Sequence, residues 1–150
     1  MAELDYHTQS CTTNHKRQNM MTKSNSLAVE LVKRFWELMA TNDFRSVGSV
    51  LSDDFVLEYP QSGERIRGRD NYTKLNEQYP SHGRWTFTLN RIVGNDQQAV
   101  SDVSVSDGVQ HARAITFFEI QSQKIVKMVE YWPEPFSPRD DRKHLVEMHF

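Results

Sequence analysis

The chain has 150 residues, with 18 Lys and Arg against 20 Asp and Glu, and its formal net charge at pH 7 is −2. This is the length of one domain, and a chain of this size buries enough surface to fold without a covalent or metal staple. The single cysteine, Cys11, excludes an intramolecular disulfide framework and a zinc site built from several cysteines. The charge balance argues against a nucleic-acid partner, and no apolar run is long enough for a membrane span.

Residues 1–25 differ in composition from the rest of the chain. They are polar, show no apolar periodicity and are predicted to form a flexible leader. The leader lacks the apolar core of a secretory signal, which favours a cytoplasmic location. Its Cys11 and two histidines are too few for a metal site. The remainder is predicted to form one domain, residues 26–136, followed by a C-terminal tail, residues 137–150.

Helical periodicity opens the predicted domain. Ser26 is a suitable N-cap, and Glu30 lies near the positive end of the helix. Apolar residues then recur at helical spacing: Leu27, Leu31, Phe35 and Leu38. Asn42 and Asp43 interrupt this pattern, and Asp43 is predicted to cap a second helix that ends near Leu51.

Strand signals dominate the rest of the domain. A short strand is predicted over residues 55–59, because Pro60 stops it, and a loop with Gly63 and Gly68 follows. Residues 69–79 show a weak helical pattern. Four further strands are predicted over residues 85–89, 100–105, 112–120 and 125–132. Helices followed by a strand meander indicate an α+β fold, with helices packed on one face of a curved antiparallel or mixed sheet.

Four local strings accompany this order of elements. They are Asn42-Asp43-Phe44, Ser52-Asp53-Asp54-Phe55, Ile66-Arg67-Gly68-Arg69-Asp70 and the last strand from Lys124 to Trp132. Taken together, residues 26–136 resemble the nuclear transport factor 2-like superfamily, and SnoaL-like polyketide cyclases are closest in general character. The resemblance implies a cone-shaped α+β barrel, the nuclear transport factor 2-like or cystatin-like fold. The interior of such a cone is a natural pocket for a small apolar ligand.

Ketosteroid isomerases, which belong to this superfamily, provide one comparison. Their mechanism needs a general base and two hydrogen-bond donors for an enolate, and the matching positions here are Phe35, Tyr59 and Thr116. Phe35 has no hydrogen to donate, and a tyrosine with a pKa near ~10 is a poor base at neutral pH. Ketosteroid isomerase activity is therefore not expected.

Limonene epoxide hydrolases provide a second comparison. Glu130 falls at the position of their last-strand carboxylate, and their arginine and aspartate positions fall roughly at Asp102 and Ser104. The cation that would polarise an epoxide is absent from this arrangement, which speaks against this activity too.

Strand alternation assigns candidate pocket residues, because side chains two apart share a face. With Trp132 directed into the cone, as the resemblance implies, Glu130 and Met128 follow. The predicted catalytic residues are Glu130 as acid or base, Asp102 as its partner and Tyr59 as hydrogen-bond donor. The predicted ligand-binding residues are Phe35, Leu57, Val100, Ser104, Ala114, Thr116, Phe118, Met128 and Trp132. No cofactor and no metal are implied.

An alternative interpretation gives the two carboxylates a structural role. In it, Asp102 and Glu130 are fixed by Tyr59, Ser104 or an arginine such as Arg84, and only maintain the shape of the pocket. A buried carboxylate that is not paired has a raised pKa, and this would make it useful as a general acid or base near neutrality.

Three functions remain open at this point. The first is a cofactor-independent isomerase, cyclase, lyase or hydrolase acting on a small apolar molecule. The second is a ligand-binding protein without catalysis, and the third is an interaction module. A shifted carboxylate pKa favours the first, and a filled cone favours the third.

The opposite face of the sheet is predicted to be unusually apolar for a surface. The residues assigned to it are Ile115, Phe117, Ile125, Val129 and Tyr131. In related folds this face often forms a homodimer, so a homodimer through the outer sheet face is expected. No membrane partner is expected.

Overall fold

The structure is a computed structural model that describes residues 26–149. The predicted leader, with Cys11, lies outside the described residues. The first element is helix α1, Leu27–Ala40, and the Ser26 hydroxyl accepts a hydrogen bond from the Val29 N–H at 3.3 Å. The predicted N-cap is therefore confirmed. Six side chains of α1 are buried against the sheet: Ala28, Val32, Phe35, Trp36, Leu38 and Met39.

The second predicted helix is a short 3-10 helix, Phe44–Val50. Asp43 does not cap it, so that prediction was wrong. Asn42 takes a left-handed conformation with φ of 61°, and the Asp43 N–H instead donates to the Thr41 hydroxyl at 3.1 Å. The polar groups at the end of α1 therefore stabilise the sharp turn after this helix instead of capping the 3-10 helix that follows.

Six strands and one further helix follow. In chain order they are β1 Leu51–Tyr59, β2 Glu64–Arg67, α2 Arg69–Glu77, β3 Thr86–Gly94, β4 Gln98–Ser106, β5 His111–Gln121 and β6 Lys124–Tyr131. The predicted strands and the weak helix are confirmed; β1, β3, β4 and β5 are longer than predicted, and β6 begins and ends one residue earlier. Strand β2 replaces the predicted loop between Gly63 and Gly68. Its side chains are mostly exposed, so its sequence carries no strong alternation signal.

The strands form one mixed sheet in the order β2-β1-β6-β5-β4-β3. All neighbours are antiparallel except β1 and β6, which are parallel. Helix α1 packs on β3, β4 and β5, while α2 packs on β1 and β2. The helices therefore cover one face of the curved, unclosed sheet, which confirms the α+β fold. We call this helix-covered side the inner face and the other side the outer face.

One row of residues crosses the inner face and positions the site. Ser101 of β4 pairs with Thr116 of β5, and Thr116 pairs with Glu130 of β6. Directly paired residues of neighbouring strands project to the same side. The row therefore points three polar side chains toward the helices.

An irregularity in β6 corrects one face assignment. Ile125, predicted on the outer face, is fully buried in the core. The pairing between β5 and β6 shifts between Glu119 and Ile120, which leaves Val126 without a partner in the ladder. A bulge of this kind reverses the alternation on its two sides. Ile125 therefore faces inward although the outward-facing Val129 lies an even number of residues away.

The tail that follows β6 remains exposed. It contains a second 3-10 helix, Asp140–Leu145, in which no residue is buried. Two large apolar side chains that follow β6, Phe136 and Leu145, are among the most exposed in the described chain. Within residues 26–149, none of the helices combines the length and the apolar character that crossing a bilayer requires.

Candidate active site

Glu130 occupies the last inward-facing position of β6. Its side chain is buried, with only 5% of the residue exposed. The Thr116 hydroxyl donates to Oε2 of Glu130 at 2.7 Å. The indole Nε1 of Trp132 donates to Oε1 at 3.1 Å. Each carboxyl oxygen thus has one donor, and neither donor is a cation.

This environment sets an unusual proton affinity. Burial raises the pKa of Glu130 to about 7, and the hydrogen bonds from Thr116 and Trp132 oppose the rise without cancelling it. Removing a carboxylate from water disfavours its charged form, and two neutral donors compensate only in part. Both protonation states of Glu130 are therefore populated near neutral pH. A group with this property can accept or donate a proton efficiently.

Two tyrosines face Glu130 from different elements. Tyr59 ends β1 and Tyr72 lies on α2, and burial is the main cause that raises the pKa of both hydroxyls. The charge of Glu130 raises both pKa values further. Tyr59 also hydrogen-bonds the side chain of Trp132. Both tyrosines therefore stay neutral, and Tyr59, which is only half-buried, is suited to donate a hydrogen bond to a bound molecule.

The structure places most predicted ligand-binding residues on the inner side. Phe35, Leu57, Ala114, Thr116, Phe118 and Met128 are all almost completely buried. The ring centroids of Phe35 and Phe118 lie 5.4 Å apart in an edge-to-face arrangement. The ring centroids of Phe35 and Tyr72 lie 6.2 Å apart. These side chains pack against one another in the hydrophobic core. The half-buried Tyr59 and Trp132 lie nearer the surface than this core.

Two inner-face contacts were not predicted. The indole Nε1 of Trp36 donates to the Ser101 hydroxyl at 3.0 Å, and Ser101 lies beside Thr116 in the polar row. The alternation of Ser101 with Val103 and Val105 was the available signal for this face. Trp36 is thereby fixed as a core residue.

Val100, Asp102 and Ser104 lie on the outer face, so their assignment to the pocket was wrong. Ser106 pairs with His111 across a four-residue connection. With four intervening residues, even-numbered positions of β5 share a face with odd-numbered positions of β4. Even-numbered residues of both β4 and β5 had been predicted to face inward, and this pairing excludes that arrangement. Asp102 therefore pairs with Ile115, one position away from the Thr116 row.

Asp102 is buried by arginines. Arg113 binds both of its oxygens, with Nε on Oδ1 at 2.6 Å and Nη2 on Oδ2 at 2.5 Å. Arg91 approaches Oδ2 at 3.0 Å, and Asn90 donates to Oδ1 at 3.4 Å. The bond from Arg113 is the main cause that lowers the pKa of Asp102 to about 2, against the effect of burial. Asp102 is thus a permanently charged structural group and does not contact Glu130.

The alternative structural interpretation applies to Asp102 but with different partners. Arg84, named as an example, donates to the Ala40 carbonyl at 2.9 Å instead. This bond and two bonds between Asn42 and the backbone of Trp85 attach the start of β3 to the end of α1. The segment before β3 is therefore fixed at the same end of the sheet as Tyr59 and Trp132.

A third buried carboxylate, Asp107, anchors this segment. Asp107 accepts from the N–H groups of His82 at 2.8 Å and Gln110 at 2.6 Å. Burial acts to raise the pKa of Asp107, but these backbone donors hold it well below its usual range. The His82 ring itself is exposed.

No metal centre is indicated by the described part of the chain. Within residues 26–149, no group of three or more His, Cys, Asp or Glu side chains is arranged to hold a metal ion.

The described residues form a small α+β protein with a curved, unclosed sheet, on whose inner face the carboxylate of Glu130 is buried. A sequence profile of the SnoaL-like domain matches residues 32–128, and the chain belongs to this family. The family lies within the nuclear transport factor 2-like fold, as the sequence had indicated. Among proteins with curated function, none matches this chain significantly.

Solved structures with the same fold include several described as enzymes. A proposed ketosteroid isomerase from Kribbella flavida is 27% identical, with a TM-score of 0.76, over 82% of this chain and 90% of that one. A nuclear transport factor 2-like protein of unknown function from Burkholderia xenovorans is 28% identical, with a TM-score of 0.68, over 83% and 96%. An epoxide hydrolase from Mycobacterium tuberculosis is 21% identical, with a TM-score of 0.58, over 71% and 83%. The fold therefore hosts more than one chemistry.

Proposed function

We propose that the protein is a cofactor-independent enzyme in which Glu130 transfers a proton to or from a small, largely apolar molecule. The observation that carries this proposal is the position of Glu130. It is a buried carboxylate that two neutral donors hold, and its pKa lies near neutrality. Sites that perform proton transfer at pH 7 need a group of this kind.

The two hydrogen bonds allow Glu130 to change its protonation state in place. A threonine hydroxyl can donate or accept, so Thr116 can donate to a carboxylate and accept from a carboxylic acid. An indole N–H can only donate, so Trp132 keeps Oε1 as an acceptor in both states. Proton transfer therefore needs only a rotation of the Thr116 hydroxyl. The neutral Tyr59 supplies a further donor at the exposed side of the site.

The surroundings of Glu130 favour an apolar substrate. Most predicted ligand-binding residues are apolar side chains of the core, and the half-buried Tyr59 and Trp132 add aromatic surface. With one general acid-base group, the chemistry that fits is isomerisation, cyclisation, dehydration or hydrolysis. The named activities of related structures, a ketosteroid isomerase and an epoxide hydrolase, belong to this range. Asp102, the predicted partner of Glu130, lies on the outer face, so the proposal rests on Glu130 as a single acid-base group.

A matched pair of variants tests this proposal. Glu130→Gln removes the acid-base group, whereas Glu119→Gln makes the same change on an exposed outer-face residue of β5. Both proteins are assayed against a panel of enolisable ketones, polyketide-like lactones and epoxides. We expect Glu130→Gln to lose roughly 100-fold or more of any activity that the native chain shows, and Glu119→Gln to retain it. Activity that survives in Glu130→Gln would overturn the proposal.

Binding without catalysis is the outcome to separate from this one. Native mass spectrometry of the purified protein, followed by organic extraction, reports a retained small molecule. A bound molecule that neither the native chain nor Glu130→Gln converts would show a ligand-binding protein and contradict the enzymatic proposal.

We also propose that the outer face joins two copies of the chain. Phe117 is 47% exposed and contacts the ring of Tyr131 at 6.2 Å, and Val93 is exposed at the edge of the same row. Exposed aromatic and aliphatic side chains in one row are typical of an interface. A homodimer is compatible with the enzymatic proposal, because Glu130 lies on the inner face. The cytoplasmic location stays a prediction.

A further inference from the structure

Gln61 lies outside the site but hydrogen-bonds the backbone of Trp132, one of the two residues that donate to Glu130. It follows β1 in the turn to β2, where the N–H groups of Ser62 and Gly63 both donate to the Tyr59 carbonyl. Gly63 has φ of 76°, a left-handed conformation that glycine adopts without strain. The turn is thus locally determined and places the Gln61 side chain beside the end of β6.

The Gln61 amide binds the backbone of Trp132 at two points. Its Oε1 accepts from the Trp132 N–H at 2.6 Å, and its Nε2 donates to the Trp132 carbonyl at 3.2 Å. The recorded pairing of β1 with β6 ends at Glu58 and Val129, and β6 itself ends at Tyr131. Trp132 lies beyond this pairing, so the Gln61 amide takes the place of a neighbouring strand in bonding its backbone.

Trp132 in turn contacts the catalytic candidate. Its indole N–H donates to Glu130 Oε1 and also bonds the Tyr59 hydroxyl. We propose that Gln61 is a positioning residue, which holds Trp132 so that the indole N–H stays on the carboxyl group of Glu130. This inference rests on the proposed role of Glu130. Gln61 acts through Trp132 and does not touch the reacting group.

The titratable groups around Glu130 do not complicate this arrangement. Tyr59 faces it from β1 and Tyr72 from α2, and the pKa of each hydroxyl is raised. Both remain neutral over the range in which Glu130 titrates. A step in the Trp132 indole signal that Glu130→Gln abolishes therefore reports the charge of Glu130.

The test measures the three indole N–H resonances by ¹H–¹⁵N NMR as a function of pH. In the native chain, we expect the Trp132 signal to shift in one step with a midpoint near 7, and Glu130→Gln to abolish the step. Gln61→Met keeps the bulk of the side chain and removes both bonds. We expect it to reduce the size of the step by about twofold or more, because the indole no longer has one fixed position. Gln121→Met, on an exposed position of β5, is the matched control and should leave the step unchanged.

The signals of Trp36 and Trp85 show whether Gln61→Met is folded, because Trp36 bonds Ser101 and Trp85 bonds Asn42 rather than Gln61. A step of native size in folded Gln61→Met would overturn the inference while leaving the role of Glu130 intact. A native Trp132 step with a midpoint near 4.5 would instead refute the role of Glu130 itself. The two failures are therefore distinguishable.

Discussion

Two carboxylates lie on opposite faces of the same sheet, and their proton affinities differ greatly. Glu130 on the inner face and Asp102 on the outer face are similarly buried, with 5% and 6% of each residue exposed. The pKa of Glu130 is raised to about 7, whereas that of Asp102 is lowered to about 2. Burial acts in the same direction on both. Burial is the largest cause for Glu130, which lies on the inner face with a hydroxyl and an indole as partners. The bond from Arg113 is the largest cause for Asp102, which lies on the outer face beside two guanidinium groups.

The two environments suit different roles. A bidentate arginine keeps a carboxylate charged and fixed, which suits the attachment of strands. Neutral donors hold a carboxyl group in place without deciding its charge. Only the second arrangement leaves a group free to exchange a proton at pH 7. The inner carboxylate is therefore the candidate for chemistry, and the outer one stabilises the sheet.

The largest effect on stability is expected from Glu130→Gln. The pKa of Glu130 is about 7 in the folded chain and near 4.5 when unfolded, so its ionisation costs about 3 kcal/mol of stability above pH 7. Glutamine has no such cost, because its amide oxygen can accept from Trp132 while its NH₂ donates to Thr116. We expect the variant to be more stable than the native chain at pH 8 by up to about this amount. The gain in stability should decrease as the pH is lowered and vanish below about pH 4.5. Urea unfolding measures this change.

A native chain whose stability does not decrease between pH 5 and 7 relative to Glu130→Gln would contradict this linkage. Glu119→Gln is again the control, because its side chain is exposed on β5. Its difference from the native chain should not change over this range.

Asp102→Asn should show the opposite behaviour. The amide keeps the shape but loses the charge that Arg113 and Arg91 share. Because both arginines are largely exposed and can turn into water, the loss is limited to about 1–2 kcal/mol at pH 7. The contribution of Asp102 is present above about pH 4 and is lost as the pH falls through about 2. Urea unfolding at pH 7 and pH 3 checks this.

Asp43→Asn provides the comparison, since Asp43 is exposed and makes no cap bond. Equal effects of Asp102→Asn and Asp43→Asn at pH 7 would show that the arginine cluster does not stabilise the sheet. The midpoint of the Glu130 titration should be unchanged in Asp102→Asn, because the two carboxylates lie on different faces.

The smallest of the three effects concerns the proposed outer interface. Phe117→Ser removes an exposed ring from the apolar row and leaves the inner face untouched. We expect the variant dimer to dissociate at about tenfold higher protein concentration than the native dimer. Light scattering after size-exclusion chromatography measures this. A native chain that is monomeric throughout would contradict the interface.

The sequence predicted the fold and the inward orientation of Glu130 for identifiable reasons. Helical spacing and the Ser26 cap determine α1, and alternation around Trp132 places Glu130 and Met128 inward. These predictions depend on one element each. The assignment of Asp102 depended on the pairing of two strands, and one residue of loop length reverses the face of an entire strand.

Other features of the site depend on contacts that alternation does not encode. The bulge that turns Ile125 inward is not visible in the composition of β6. Gln61 contacts Trp132 across 71 positions of sequence, and its exposed turn carries no sign of that contact. Arg91 and Arg113 are ordinary strand arginines until the sheet brings them to Asp102. Long-range pairing therefore accounts for most of what the sequence did not predict.

The most direct test is a titration of the carboxyl groups by ¹³C NMR in protein labelled at the Asp and Glu side chains. Glu130→Gln and Asp102→Asn assign the two signals by their loss. The account predicts that the Glu130 carboxyl titrates near pH 7 and that the Asp102 carboxyl titrates near pH 2, in one sample. Titration of Glu130 near 4.5 would contradict the account, because an ordinary surface-like carboxylate could not serve as the proton-transfer group proposed for this site.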